Sequence, residues 1–279
     1  MLPHLILTGL VGYVAAASLQ TRATQDSTCP CGYLDSNGNV WRESSVSDFT
    51  AGTPTSVLQQ AFAVETWGVQ GTYQYRQNSA DNVYNLNGAL GMRTQGWSGS
   101  GPVYTSEVQS HRDDILYGTF RITAEIPTTP GVCFGFFTFY SNTQEADIEF
   151  LSADTNAAHT VHYTNQPGQT AGATETVTLG PNLQTSFNEH RIDWLPDVVN
   201  YYLNGGQTGS ISIQVPDTPS FVLANVWSNG DPGWTQGPPT ADAVATIQNI
   251  KLYFNSTSLS ESDFNSACAT AGRPASCQI

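Results

Sequence analysis

Apolar side chains in this chain fall mostly at every second position, and few stretches carry them at the 3.6-residue spacing of a helix. Runs rich in β-branched and aromatic residues predict strands at 117–126, 132–140, 145–152, 159–165, 174–179 and 189–194. Further strands are predicted at 198–203, 210–215, 221–227 and 243–254. Turn-forming clusters separate them: Pro127 to Gly131, Ser141-Asn142, Gln166-Pro167-Gly168 and Asn204-Gly205-Gly206. Many short strands with a turn every ten residues or so predict an all-β sandwich, because a sheet without covering helices must pack on a second sheet. A short helix is expected over 262–271. No repeat or low-complexity linker divides the chain, so residues 18–279 are expected to form a single domain.

The ends of the chain add a compartment. Leu5 to Ala17 is an apolar run that closes on Ala15-Ala16-Ala17, the small-residue pattern of an export signal cleaved before Ser18. It is too short to cross a bilayer, which needs about 20 residues. Five cysteines suit an oxidising compartment. Cys29 and Cys31 lie near the start and Cys268 and Cys277 near the end, so the first pair is expected to bond the second, in an order the spacing leaves open. Cys133, alone in the apolar stretch Gly131 to Tyr140, is expected to stay a buried thiol. A secreted, monomeric protein follows.

Charge then narrows the partners. Nine basic residues stand against 23 acidic ones, a net charge of −14, which excludes general binding to nucleic acid or to an anionic membrane surface. Lys251 is the single lysine, which argues against phosphate-handling chemistry. Only 11% of residues are charged, so Ser, Thr, Asn, Gln and Gly must wet the surface. Neutral hydrogen-bonding side chains beside aromatic rings suit an uncharged sugar polymer.

The chemistry concentrates in Glu145-Ala146-Asp147-Ile148-Glu149-Phe150-Leu151. On a strand, Ala146, Ile148 and Phe150 share the core face, and Glu145, Asp147 and Glu149 share the other. Three carboxylates on neighbouring same-face positions repel one another and do nothing for the strand. The Cα atoms of Glu145 and Glu149 are about 13 Å apart at about 3.3 Å per residue. Side chains leaning inward bring their carboxyls to about 5–6 Å, close to the separation in retaining glycosidases. A solvated acidic face or a cation site is the competing reading, although a straight strand makes a poor calcium cage.

The same run resembles the E-x-D-x-E-F-L signature of glycoside hydrolase family 16. Tyr117 to Arg121, Phe134 to Thr138, His162 to Asn165, Arg191 to Trp194 and Asn225 to Gly230 are similar to other family elements, in the family's order. The resemblance implies a concanavalin A-like β-jelly-roll sandwich of two antiparallel sheets with an open concave cleft. It implies a retaining endo-β-glucan hydrolase acting on β-1,3- or β-1,4-linked glucan, mixed-linkage glucan included. Glu145 would be the nucleophile, Glu149 the general acid/base and Asp147 the assisting carboxylate. Trp227 and Trp234 would stack on sugar rings, His162, Tyr163 and Asn225 would bind hydroxyls, and Arg112 would match a family arginine near the sugar. Trp194 follows the core alternation and is expected to be structural. No cofactor is implied and no catalytic metal; a structural calcium stays open. The unbulged carboxylate spacing is shared with the family's transglycosylases, and Thr143 stands where bacterial mixed-linkage enzymes carry a cleft Trp. A cell-wall transglycosylase with the same site, or a non-catalytic lectin on the same fold, are the alternatives.

Overall fold

A computed structural model describes residues 28–279, so the expected export signal at 1–17 lies outside the described residues. Two large sheets face each other. The front sheet runs Thr174–Thr178, Thr160–Asn165, Gln144–Leu151, Cys133–Ser141, Phe221–Trp227, Val103–Ser110, Arg76–Asn78 and Gly68–Val69, with Phe62–Val64 also pairing Val103–Ser110. The back sheet runs Gly206–Ile211, Val199–Leu203, Asn188–Trp194, Ile115–Glu125, Ala243–Ser256, Ala89–Thr94 and Val83–Leu86, with Glu43–Asp48 also on Ala243–Ser256. The pairings are antiparallel apart from Arg76–Asn78 beside Val103–Ser110.

One apolar cluster fills the space between the sheets, from Phe49 to Phe254. Ring contacts cross it: Phe150 of the front sheet meets His190 of the back sheet at 4.7 Å, and Tyr163 stacks on Tyr201 at 4.2 Å. Trp194 is fully buried and donates its indole N–H to the Pro216 carbonyl, so it is structural, as its place in the alternation suggests. The fold is the all-β jelly-roll sandwich expected.

The two ends meet on one side. Tyr33–Leu34 pairs in parallel with Cys277–Gln278, and disulfides join Cys29 to Cys277 and Cys31 to Cys268. Cys133 is free and buried. The terminal helix is Glu261–Thr270, started by the Ser260 hydroxyl accepting from the Asp263 N–H. Among the described residues no helix is long and apolar enough to cross a membrane.

One strand differs from its expected place. It runs Gly206–Ile211, not 210–215. Asn204 (φ 49°) and Gly205 (φ 84°) alone make the left-handed two-residue turn, so Gly206 already pairs with Leu203. Strands before residue 115 carry weak signals. Ala89–Thr94 contains Ala and Gly, and Glu43–Asp48 contains three serines, all poor strand formers.

Candidate active site

The acidic segment is the strand Gln144–Leu151, near the middle of the front sheet. Ala146, Ile148 and Phe150 are buried in the core, which turns Glu145, Asp147 and Glu149 to the outer face of that sheet. There they line one open groove of about 510 Å³ together with Gln166, Trp227 and Trp234.

Cross-strand register assembles the rest. Glu107, Asn225, Gly135, Glu149 and His162 occupy directly paired positions on five adjacent strands. Paired residues share a face, so this row lies on the sheet face that carries the groove. Gly135 is required in it, because a Cβ there would lie 2.7 Å from Asn225 Oδ1. Asn225 Nδ2 donates to Glu107 Oε2 at 3.1 Å, while Asn225 Oδ1 and Glu107 Oε1 are buried and accept no hydrogen bond from the described residues. The Arg76 guanidinium lies over the Trp227 ring, 4.5 Å from its centroid.

Crowded carboxyls in a half-dry groove resist ionisation. Burial pushes Asp147 well above the usual carboxylate range, and the charges of Glu145 and Glu149 push the same way. Gln166 Nε2 donates to Asp147 Oδ2 at 2.9 Å. Burial also raises Glu145; its hydrogen bond with Asp147 lowers it, and that same bond raises Asp147. The shared bond thus favours the proton on Asp147, donated to Glu145. Glu149 is raised by burial and drawn back by hydrogen bonding from Cys133 and Trp234 and by the charges of His162 and Arg76.

Burial raises Glu107 to about 7, against the Asn225 hydrogen bond and the Arg76 charge. Burial lowers Arg76, which feels Glu107, Cys133 and Glu149. Gln166 in the groove lining, and Arg76, Glu107 and Cys133 packed around the carboxyls, have roles at the site that sequence reasoning missed. None sits in a local motif: Arg76 and Glu107 arrive through pairing between distant strands, Cys133 from the hairpin partner of the acidic strand, and Gln166 from the turn after Thr160–Asn165.

Three expected substrate contacts fall elsewhere. Tyr163 pairs with Ile148 on the core face, is fully buried, and spends its hydroxyl on Thr208 Oγ1 at 2.7 Å. It is a core residue and cannot reach a sugar. Arg112 is held by Glu43 at 2.8 Å and Asp114 at 2.6 Å and lies over the Phe254 ring, away from the groove lining. It ties the end of a front-sheet strand to the back sheet. His162 is beside the groove, but Nε2 is on Asp154 at 2.8 Å and Nδ1 on Thr176 at 3.1 Å. Both nitrogens are thus engaged within the protein, and the ring packs 5.3 Å from that of Trp234. Among the described residues no group of three or more His, Cys, Asp or Glu is arranged to hold a metal ion.

Comparison with known proteins places this geometry in a family. A family model described as glycosyl hydrolases family 16 matches residues 70–245. A beta-glucanase of Paenibacillus polymyxa is 31% identical over 117 residues, 40% of this chain and 48% of that protein. The chain thus spans about half the length of the curated relatives it matches. Among solved structures, the beta-glucanase of Bacillus licheniformis superposes with a TM-score of 0.64 at 21% identity, over 76% of this chain and 98% of that one. The apo Crh5 transglycosylase superposes with a TM-score of 0.58 at 15% identity, over 77% and 86%. At such identities the superpositions establish a shared fold.

Proposed function

Because the chain belongs to glycosyl hydrolase family 16, we propose that it is a retaining endo-β-glucan hydrolase, exported and working by double displacement at Glu145, Asp147 and Glu149. The observation that carries this is the convergence of those three carboxyls, flanked by Trp227 and Trp234, in one open groove. An open groove of this kind admits a polymer chain. The two indoles offer apolar faces to sugar rings.

In the first step Glu145 attacks the anomeric carbon while Glu149 gives its proton to the departing glycosidic oxygen. The C–O bond breaks, its electron pair leaves with that oxygen, and an ester joins Glu145 to the sugar. As Glu145 loses its negative charge, Asp147 keeps the proton. In the second step Glu149, now ionised, takes a proton from water, the oxygen attacks the anomeric carbon and Glu145 is released. Two inversions restore the original configuration.

A sugar hydroxyl in place of water makes the same intermediate a donor for transglycosylation. This second reading is favoured by the fold shared with the Crh5 transglycosylase. Products formed with and without added acceptor oligosaccharides separate the two. The shared prediction is that Glu145→Gln abolishes turnover of β-glucan, at least about 10³-fold, while unfolding and glucan binding stay near wild type. Wild-type turnover by that variant would remove the assignment.

A further inference from the structure

Glu149 receives a contact that the reaction as written does not use. Its Oε1 accepts a hydrogen bond from Cys133 Sγ at 3.2 Å. Cys133 is fully buried, takes part in no disulfide, and sits one pleat along its strand from Gly135, the residue directly across from Glu149. Gly135 raises no side chain between them, so thiol and carboxyl meet diagonally across the pair of strands. Trp227, directly across from Cys133 on the other neighbouring strand, flanks the thiol from that side. Burial and the adjacent Glu149 and Asp147 charges hold the thiol far above its usual pKa, so it stays an S–H donor.

We propose that Cys133 is a positioning residue for the acid/base: its S–H occupies Glu149 Oε1, so that the transferable proton resides on Oε2. The proposal rests on Glu149 being the acid/base. A carboxyl free to carry its proton on either oxygen, or to rotate, presents it to the glycosidic oxygen for only part of the time. A donor fixed by the sheet removes that freedom and favours the ionised form. The other groups acting on Glu149 are Glu145 and Asp147 from its own strand, His162 from the strand on its far side, Trp234 from the loop after Phe221–Trp227, and Arg76 on the Trp227 ring. The contribution from the strand Cys133–Ser141 is the thiol.

The test compares Cys133→Val, which keeps the volume and loses the donor, with Cys133→Ser, which keeps a donor. Two substrates are used: β-glucan, whose leaving group needs the proton, and a dinitrophenyl β-glucoside oligomer, whose leaving group does not. With β-glucan, Cys133→Val is expected to move the basic limb of the kcat/KM profile up by about 0.5–1 pH unit, the size of one ordinary net hydrogen bond. Its kcat at the optimum is expected to fall about 3- to 10-fold. Bond cleavage in the dinitrophenyl substrate stays within about 2-fold, and Cys133→Ser restores the limb. An unmoved limb, or equal losses on both substrates, overturns the proposal and leaves a packing role. Should Cys133→Val fail to fold, Cys133→Ala takes its place against the serine variant. Glu149→Ala with azide on the dinitrophenyl substrate is the control. Full β-glucan activity in that variant overturns the acid/base assignment itself, and the role of Cys133 with it.

Discussion

Replacing Glu107 by Gln is expected to stabilise the protein in alkali and leave it nearly unchanged in acid. The side chain is only 3% exposed, and burial raises its carboxyl from 4.5 to about 7. Between those values the folded state keeps a proton that the unfolded chain has released, so folding stability falls as pH rises through the window and levels off above it. At about 1.4 kcal/mol per pH unit, the distance from 4.5 to about 7 comes to about 3 kcal/mol of native stability lost by pH 8. Gln carries no charge to bury, and its amide oxygen can still accept from Asn225 Nδ2. Removing the charge also relieves Glu145, which Glu107 pushes up, an effect of the same sign. The assay is urea unfolding of both proteins at pH 4 and pH 8. Glu107→Gln should match wild type at pH 4 and exceed it by about 3 kcal/mol at pH 8. Equal differences at the two pH values would refute the reasoning, because they would show that Glu107 has the same charge folded and unfolded.

His190 should act with the opposite sign. It is fully buried against Phe150, neither ring nitrogen has a partner among the described residues, and burial lowers it to about 3. The unfolded chain binds the extra proton, so stability is lost as pH falls from 6.5 to about 3, by up to about 5 kcal/mol. His190→Leu is expected to move the acid-unfolding midpoint to lower pH, and an unmoved midpoint would remove the cause. Arg112→Ala breaks a partly buried pairing with Glu43 and Asp114 and should cost about 3 kcal/mol of stability in urea, with KM for β-glucan unchanged. A raised KM at unchanged stability would return Arg112 to the groove.

Period-2 alternation made the centre of the site legible. Once Ala146, Ile148 and Phe150 are read as core, the pleat sends Glu145, Asp147 and Glu149 to a common face, and the structure has them there. The same rule exposes a fault in the expected substrate contacts. His162 and Tyr163 are consecutive on one strand, so they point to opposite faces and cannot both reach a sugar. The pairing of Tyr163 with Ile148 decides which one is inside. Arg112 is expected at the sugar only through its match to a family arginine, with no local pattern behind it. Its partner Glu43 is 69 residues away, and that distance hid the pair.

What the sequence withheld was pairing between strands far apart along the chain. Glu107 meets Asn225 across 118 residues, and Arg76 reaches Trp227 only because Arg76–Asn78 lies beside the strand that pairs with Phe221–Trp227. Register of this kind depends on turn lengths and bulges along the whole sandwich, which no local window contains. Glu107 and Arg76 share a physical character with Cys133, which comes from the hairpin partner of the acidic strand. Glu107, Arg76 and Cys133 are ionisable groups driven by burial toward their neutral forms, packed around carboxyls that are themselves raised. Hydrophobic burial in the two-sheet core tolerates that cost, and the burial that raises Glu149 holds a proton on it against the opposing pull of Cys133 and Arg76. The stability that Glu107→Gln would recover in alkali is a direct measure of what the fold gives up to hold that environment.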